Sequence, residues 1–600
     1  MTRQLHAIEI EITLEAPYLI HGNDPGRYGL DATLLTDHRD RPILPGTLVA
    51  GRIVEAWCSL SGQLGNADAA TWFGQKGVTG QGGSRARLLV DDLVLSQVDG
   101  KPVNGKPQGD ELTRIRQNED TGAVEPGALL IIEQIAAPGA QLQFKGTWRA
   151  WATGEEIKTL VPQLQAALRL QTQLGAYRGV GFGRLKSLAV SAKSVQPAPL
   201  KLPQGQDRYR LALSGDAALC VGARSRHGNV FESSDRISGG TLLGAIARML
   251  ADRHGAIDLD AIGTPLAKHF SALRCTQALP AQKGQARPAP LPQSLIAYGD
   301  EICDAWPHSR PPPELAHSPA FQTDWKGKDY AIATATQGWG KTGRHLRVRT
   351  DIDQDGKAKE KSLFAYECVH APRDDSGNLL TEWLFDLDLS GIAEPEERTE
   401  VSQELDELLR HGLFPLGKTD AVMGLQWISP GQPGAAPVWK SVIPELSKAG
   451  ELIPVLLVSD ALLFPTTTVA DNPDADLLAI YQAAFASLAE QAGHKGALQL
   501  SHFFATQRLE GGKYFKFRFL DPKNKPYQPW VLTEAGSLFV FKVENAENAK
   551  KLLQCWQDQG LGLPEWVKKD YGDTWQDHPY RPEAGFGEVI IAPQHGFQDL

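Results

Sequence analysis

Leu174-Gly-Ala-Tyr-Arg-Gly-Val-Gly-Phe-Gly-Arg-Leu-Lys186 decides how the rest of the chain is read. Gly175, Gly179, Gly181 and Gly183 stand among Arg178, Arg184 and Lys186. Glycine reaches positive φ without strain and lets backbone lie close to a ligand. Arginines around such a loop point to phosphate as the ligand group. Upstream, residues 157–174 carry apolar side chains at helical spacing; downstream, Leu185, Leu188 and Val190 belong to a short strand. The order is helix, loop, strand. A dinucleotide fingerprint needs strand, loop, helix, because the helix N-terminus holds the pyrophosphate. A Rossmann reading is excluded.

Working outward, both ends of this segment recur. The N-terminus alternates Ile8, Ile10, Ile12, Leu14 against Glu9, Glu11, Thr13, the pattern of a half-buried strand, and runs into a turn at LEAPYLIHG (14–22). Similar openings lie at LSGDAALCVG (213–222) and VSDALLFP (458–465), and similar glycine-loop endings at LGKTDAVMGLQWI (416–428) and PEAGFGEVIIAP (582–593). Between them, ILPGTLVAGRIVEAW (43–57) matches RISGGTLLGAIARML (236–250), and IRQNEDTGAVEPGALLIIEQI (115–135) matches VRTDIDQDGKAKEKSLFAYECV (348–369). These are domain-sized repeats of about 140–230 residues. The expected modules are 1–195, 207–430 and 441–600, the third degenerate, with linkers at 196–206 and 429–437. Residues 279–325 read as a Pro-rich insertion with little periodic structure.

Composition bounds the function. Six hundred residues with 42% hydrophobic and 22% charged side chains suit an ordinary globular protein, and a net charge of −10 excludes a generally basic, nucleic-acid-coating surface. Local basic tracks remain: Lys341, Arg344, Arg347 and Arg349 within nine residues, Arg224 and Arg226 beside His227, and Lys513–Arg518, where aromatics alternate with cations. No apolar run spans a membrane and no signal peptide opens the chain. Six scattered cysteines without a CxxC pair point to a reduced cytoplasm and no structural zinc. Gly412–Thr419 fits the P-loop pattern GxxxxGK[ST], but follows a helix, runs into a strand, and contains Pro415, which lacks an N–H donor. Nucleotide hydrolysis is set aside.

The ordered set in the first repeat is an opening strand, the PGTLVAG turn, WFG (72–74), SRARLLVDD (84–92), the IR…TG…GALLIIE segment and the terminal GxGxG loop. It resembles the RAMP superfamily of CRISPR-associated proteins. The resemblance implies an α+β fold of tandem ferredoxin-like, RRM-related modules. It implies a crRNA-binding subunit of a type III effector ribonucleoprotein, with target RNA and other effector subunits as partners. The first module is similar to the backbone subunits, in which an aspartate shortly before this turn cleaves target RNA. Asp31, fourteen residues before Pro45, occupies that place, with Asp37 as fallback. A carboxylate there would act as base or as ligand to Mg2+ or another divalent metal, and Arg27 is placed to offset phosphorane charge. The same resemblance assigns RNA binding to Arg27, Arg52, Arg178, Gly179, Gly181, Gly183 and Arg184. The family turn usually has a basic residue where Ala50 and Leu243 stand, which Arg52 and Arg248 follow.

The second and third modules resemble the RAMP protein that caps the crRNA 5′ tag in type III-D systems, through SSDRISGGTLLGAIA (233–247), residues 272–294 and residues 534–591. RNA contacts expected there are Arg224, Arg226, Lys341, Arg344 and Arg347. Fourteen residues before Ser238 stands Arg224, so this half is expected to bind rather than cut. Two other readings stay open: a non-catalytic assembly and tag-capping subunit, and a crRNA-processing endoribonuclease relying on His21 or His38.

Overall fold

Ile8, Ile10, Ile12 and Leu14 are each at most 1% exposed on strand β1 (Gln4–Glu15), and each such side chain contributes about 1.5–3 kcal/mol on burial. Around β1 the N-terminal module is built from α1 (Gly46–Ser59), β2 (Leu93–Val98), β3 (Gln141–Ala152), α2 (Gly154–Arg169) and β4 (Arg184–Ser194). The computed structural model describes all residues except 1, 23–28, 61–65, 76–82, 108, 119, 223, 228, 299–300, 310–320, 323–333, 335, 353–357, 447, 471–473, 512–528 and 600; at some strand and helix positions, 224–227 and 358–361 among them, only the backbone is described. β1 is hydrogen-bonded along both edges, to β3 from Gln4↔Ala152 to Glu15↔Gln141 and to β4 from His6↔Ser194 to Glu15↔Arg184. The sheet order is β2-β3-β1-β4, antiparallel throughout. That is the ferredoxin-like βαββαβ arrangement. α2 starts at a full capping box, with Thr153 accepting from Glu156 N–H and Glu156 accepting from Thr153 N–H, a device worth about 1 kcal/mol.

The arrangement occurs twice more. Module two contains β5 (Arg208–Ser214), α3 (Gly239–His254), β6 (Leu279–Gln282), β7 (Gly343–Ile352), β8 (Ala358–His370), β9 (Thr381–Asp388), α4 (Pro395–Leu409) and β10 (Ala421–Trp427). Its main sheet runs β6-β9-β5-β10. Module three contains β11 (Leu452–Leu457), α5 (Leu477–Gln491), β12 (Leu498–Phe504), β13 (Leu538–Val543), α6 (Ala546–Gln559) and β14 (Val589–Ile591), ordered β12-β13-β11-β14. The third copy, degenerate in sequence, is complete in strand order. Each module inserts a hairpin between its second and third strands: Asp110–Arg114 with Leu130–Gln134, β7 with β8, and Gln507–Glu510 with Trp530–Thr533.

The linker 196–206 and the first part of the Pro-rich insertion are packed. In the linker 196–206, Leu200 and Leu202 are buried in the core of module two, and the Leu202 N–H donates to the Asp406 carboxylate at 2.8 Å. The first part of the Pro-rich run, 279–298, is packed, while 310–320 and 323–325 lie outside the described residues. Leu279 and Ala281 are fully buried in β6, where Pro280 is tolerated because the strand lies at the sheet's edge. Ala289, Leu291 and Leu295 then pack with Leu456, Leu538 and Val540 of module three. Arg287, 6% exposed, fastens this run: its guanidinium meets both Glu588 carboxylate oxygens at 2.7 and 2.8 Å, and donates to the carbonyls of Gln277 and Leu384. A buried charge is tolerated when it is paired and most of its donors are used.

Modules one and two meet through Asp216, which accepts from His38 at 2.9 Å and Arg39 at 2.7 Å and lies 3.3 Å from Arg373. Burial pushes its carboxyl up, but these hydrogen bonds and charges outweigh that and hold it well below the usual range. A depressed carboxyl contributes stability above its unfolded pKa, lost as pH falls through the folded value. Acid titration of the wild type followed by urea unfolding is therefore expected to show stability falling below about pH 4, with a smaller fall in Asp216→Asn. Arg287→Ala, which strands Glu588, is expected to cost about 3 kcal/mol in urea unfolding.

Candidate nucleic-acid interface

The closing loop is held by its own backbone. Gly183 has φ +62°, and a Cβ there would lie 2.0 Å from the Leu174 carbonyl oxygen; at Gly175, φ +104°, it would lie 2.5 Å from that of Leu19. Gly183 N–H donates to Pro17 at 2.8 Å and Leu174 N–H to Gly183 at 2.9 Å. These two glycines are demanded by closure of the fold. The tip differs: residues Arg178–Val180 form one 3-10 turn between left-handed Tyr177 and Gly181, and Arg178 and Gly179 are exposed. A Cβ on Gly179 would meet nothing within 4 Å. The same device precedes the last strand of the other modules, as Gly417–Thr419 with left-handed Asp420 and as Pro582–Ala584 with left-handed Gly585. Ala584 is buried against Gly239 and Gly240 at the start of α3, so the third tip is a contact between modules.

Arg52 of α1 and Arg178 of the loop tip, far apart in sequence, line one open surface cavity of about 340 Å³ with Gln171, Thr172 and Gln173. Arg52 pairs with Glu55 at 2.6 Å and its carbonyl accepts from Gln171 at 3.2 Å. Arg184 is exposed at the base of the loop, next to the Lys186–Glu15 pair at 2.6 Å, which lowers the Glu15 pKa. Sequence reasoning missed Arg114 and Tyr177. The Arg114 guanidinium lies 5.5 Å from the Tyr177 ring centre, tying the inserted hairpin to the loop, and His21 and Phe182 pack edge-on against the same ring. Partial burial lowers the His21 pKa.

Asp31 stands at the edge of that hairpin. Its N–H donates to the Ile131 carbonyl at 2.9 Å, and its Oδ2 accepts the Ile131 N–H at 2.8 Å, with the side chain exposed. The neighbouring Glu133 is taken by Lys106 at 2.5 Å and by the Leu34 N–H at 2.9 Å. One described carboxylate beside a neutralised glutamate is a poor donor set for a resident Mg2+, and among the described residues no group of three His, Cys, Asp or Glu side chains is placed to hold a metal. Asp37 is a turn residue: burial raises its pKa, but hydrogen bonds from Arg41 and Arg39 bring it below the usual range. His38 is spent on Asp216. Arg27 lies outside the described residues, as does 512–528 with the Lys513–Arg518 alternation.

Module two divides its cations. Lys341 is exposed, its carbonyl accepting from Thr381. Arg344 and Arg347, three apart on β7, point to opposite faces. Arg344 turns to Ser233, Glu232 and Glu367, while Arg347 pairs with Asp92 of module one. They do not form one track. Arg248 is bound to Asp252 and to the Ala86 carbonyl across the module boundary. Arg224 and Arg226 lie on strand Arg224–His227, described in backbone only. Ala32 bridges Ile132 in parallel, and in module two the strand Val230–Glu232 runs parallel to β8, from Val230↔Ala365 to Glu232↔Glu367. At 412–419, strand Leu413–Leu416 and a 3-10 turn lead into β10, so no helix follows the P-loop pattern.

Three βαββαβ sheets, the first closed by a glycine loop with cations at its tip and a hairpin inserted over it, define a tandem ferredoxin-like protein. The family model of the RAMP superfamily matches residues 11–186. The match lies within the N-terminal module and ends on Lys186, the last residue of the loop stretch. Among solved structures, the chain is similar to one from the cryo-EM structure of type III-B Cmr-beta bound to cognate target RNA (16% identity, TM-score 0.23), covering 31% of this chain and 61% of that one. It is also similar to one from type III-B Cmr-beta bound to cognate target RNA and AMPPnP (11% identity, TM-score 0.28), covering 55% and 86%. No curated protein matches. Among the described residues, no helix is long and apolar enough to cross a membrane. Gly183→Ala is expected to destabilise the protein by roughly 2 kcal/mol or more in urea unfolding, and Gly179→Ala by less than about 0.5 kcal/mol.

Proposed function

We propose that the chain is a crRNA-binding subunit of a type III CRISPR effector ribonucleoprotein, acting in the cytoplasm with target RNA and other effector subunits. The observation that carries this reading is the RAMP match over 11–186 together with the convergence of Arg52 and Arg178 on one cavity at the tip of its closing loop. The two guanidiniums take successive phosphates of the guide, and the exposed, side-chain-free Gly179 lets the backbone approach them. Base pairing supplies sequence, so the protein needs grip and register rather than base contacts. Modules two and three, joined through Arg287 and the Pro-rich run, serve as the unit that holds the 5′ tag.

Asp31 supports a further step, cleavage of the paired target. Its Oδ2 is fixed by the Ile131 N–H, which orients the carboxylate and leaves Oδ1 to accept the proton of a ribose 2′-hydroxyl as that oxygen attacks its own phosphate in line; the P–O5′ bond breaks, leaving a 2′,3′-cyclic phosphate and a 5′-oxygen that takes a proton from water. The second reading is a non-catalytic assembly subunit, which the same turn-holding bond favours.

The double variant Arg52→Ala/Arg178→Ala is expected to weaken binding to single-stranded RNA in fluorescence anisotropy. Its log–log salt slope should flatten by about 1.4, roughly 0.7 per lost phosphate contact. In the assembled complex, Asp31→Ala is expected to slow cleavage of guide-matched RNA at least about 100-fold, the low end of general-base catalysis. Equal cleavage by wild type and variant would leave the assembly reading standing.

A further inference from the structure

Directly opposed residues of paired strands share a face of the sheet. On β7 and β8, Arg347 stands opposite Tyr366 and Arg349 opposite Phe364, and Phe231 of strand Val230–Glu232 stands opposite Tyr366 from the other side. Phe231, Tyr366 and Phe364 therefore form a continuous row: ring centroids are 5.6 Å apart for the first pair and 5.5 Å for the second. All three are half-buried, so part of each ring meets solvent. The tip of the second closing loop reaches over them. Lys418 Nζ lies 3.5 Å from the Phe231 ring centre and 5.5 Å from that of Tyr366, and the Arg349 guanidinium lies 5.8 Å from the Tyr366 centre.

Arg344, Arg347, Arg39, Arg41 and Arg287 are all matched by carboxylates. Among the described residues, Lys418 and Arg349 make no ion pair. Partial burial, which lowers the pKa of both, adds to the cost of leaving them unmatched. Three half-exposed aromatic rings, tilted by 37° and 62° to one another, beside two cations that make no ion pair among the described residues favour a ligand with both anionic groups and flat faces, and single-stranded nucleic acid supplies phosphates and bases together.

We infer that this face of module two is a stacking platform for single-stranded RNA, with bases on Phe231, Tyr366 and Phe364 and the adjoining phosphates on Lys418 and Arg349. The inference rests on the RNA-binding reading above and assigns it a second, separate contact surface.

The test is anisotropy with the full chain and a fluorescein-labelled 12-nucleotide uridine RNA. Phe231→Leu and Tyr366→Leu should each weaken binding roughly 5- to 150-fold, while an abasic 12-mer should bind wild type and both variants alike. Lys418→Met and Arg349→Met should each flatten the salt slope by about 0.7. A 4-thiouridine RNA crosslinked to the unaltered protein should label peptides containing Phe231 or Tyr366, which decides the matter if a variant fails to fold. Wild-type affinity in both aromatic variants, or crosslinks confined to other peptides, overturns the platform. If Arg52→Ala/Arg178→Ala loses RNA while Tyr366→Leu keeps it, the platform falls and the proposed function stands. If the wild type binds no RNA, both fall.

Discussion

Gly183 lies so close to the Leu174 carbonyl that no side chain fits between them, and the order of the first module depends on that approach. β4 must enter beside β1 from the loop end, and it starts pairing at Arg184, one residue later. A larger residue would push the entry out and shift the register. A one-residue slip would carry Val190 from the core to solvent, since side chains alternate faces. The loop is thus a structural hinge pin first. Only its tip, around Arg178 and Gly179, is left over for a ligand.

The second constraint is where the fold accepts extra chain. In all three modules the long excursion leaves between the second and third strands and returns as a hairpin. In the first module this sets the hairpin across the closing loop, so Asp31 touches Ile131 and Arg114 reaches Tyr177. In the second it sets β7 and β8 under Lys418. Groups distant in sequence meet because one topology is used repeatedly. The net charge of −10 fits the same picture. Arginines and carboxylates are matched at the module boundaries, while Arg178 and Lys418 at two loop tips make no ion pair among the described residues.

Much was legible from residues alone. The alternation of Ile8 to Leu14 has no other stable solution than a strand with one buried face, and helix–glycine loop–strand order excludes a dinucleotide site. The repeated endings at 416–428 and 582–593 disclosed three modules. Other features were hidden. β12 of module three carries little sequence likeness to its counterparts, so the copy looked degenerate although its sheet is complete. The run from Lys341 to Arg349 looked like one basic track, but strand alternation sends its cations to two faces with different partners.

What the sequence by itself determined is the class of fold, because hydrophobic period and glycine placement act over a few neighbouring residues. Tertiary structure decided the rest. It buried the first part of the Pro-rich run, since Ala289, Leu291 and Leu295 find an apolar partner only once the sheet of module three exists. It placed Arg52 beside Arg178, because the packing of α1 against the loop, not distance along the chain, sets which residues meet. And it left two of the four loop glycines to the fold and one to solvent, a division fixed by how near another strand's carbonyl comes.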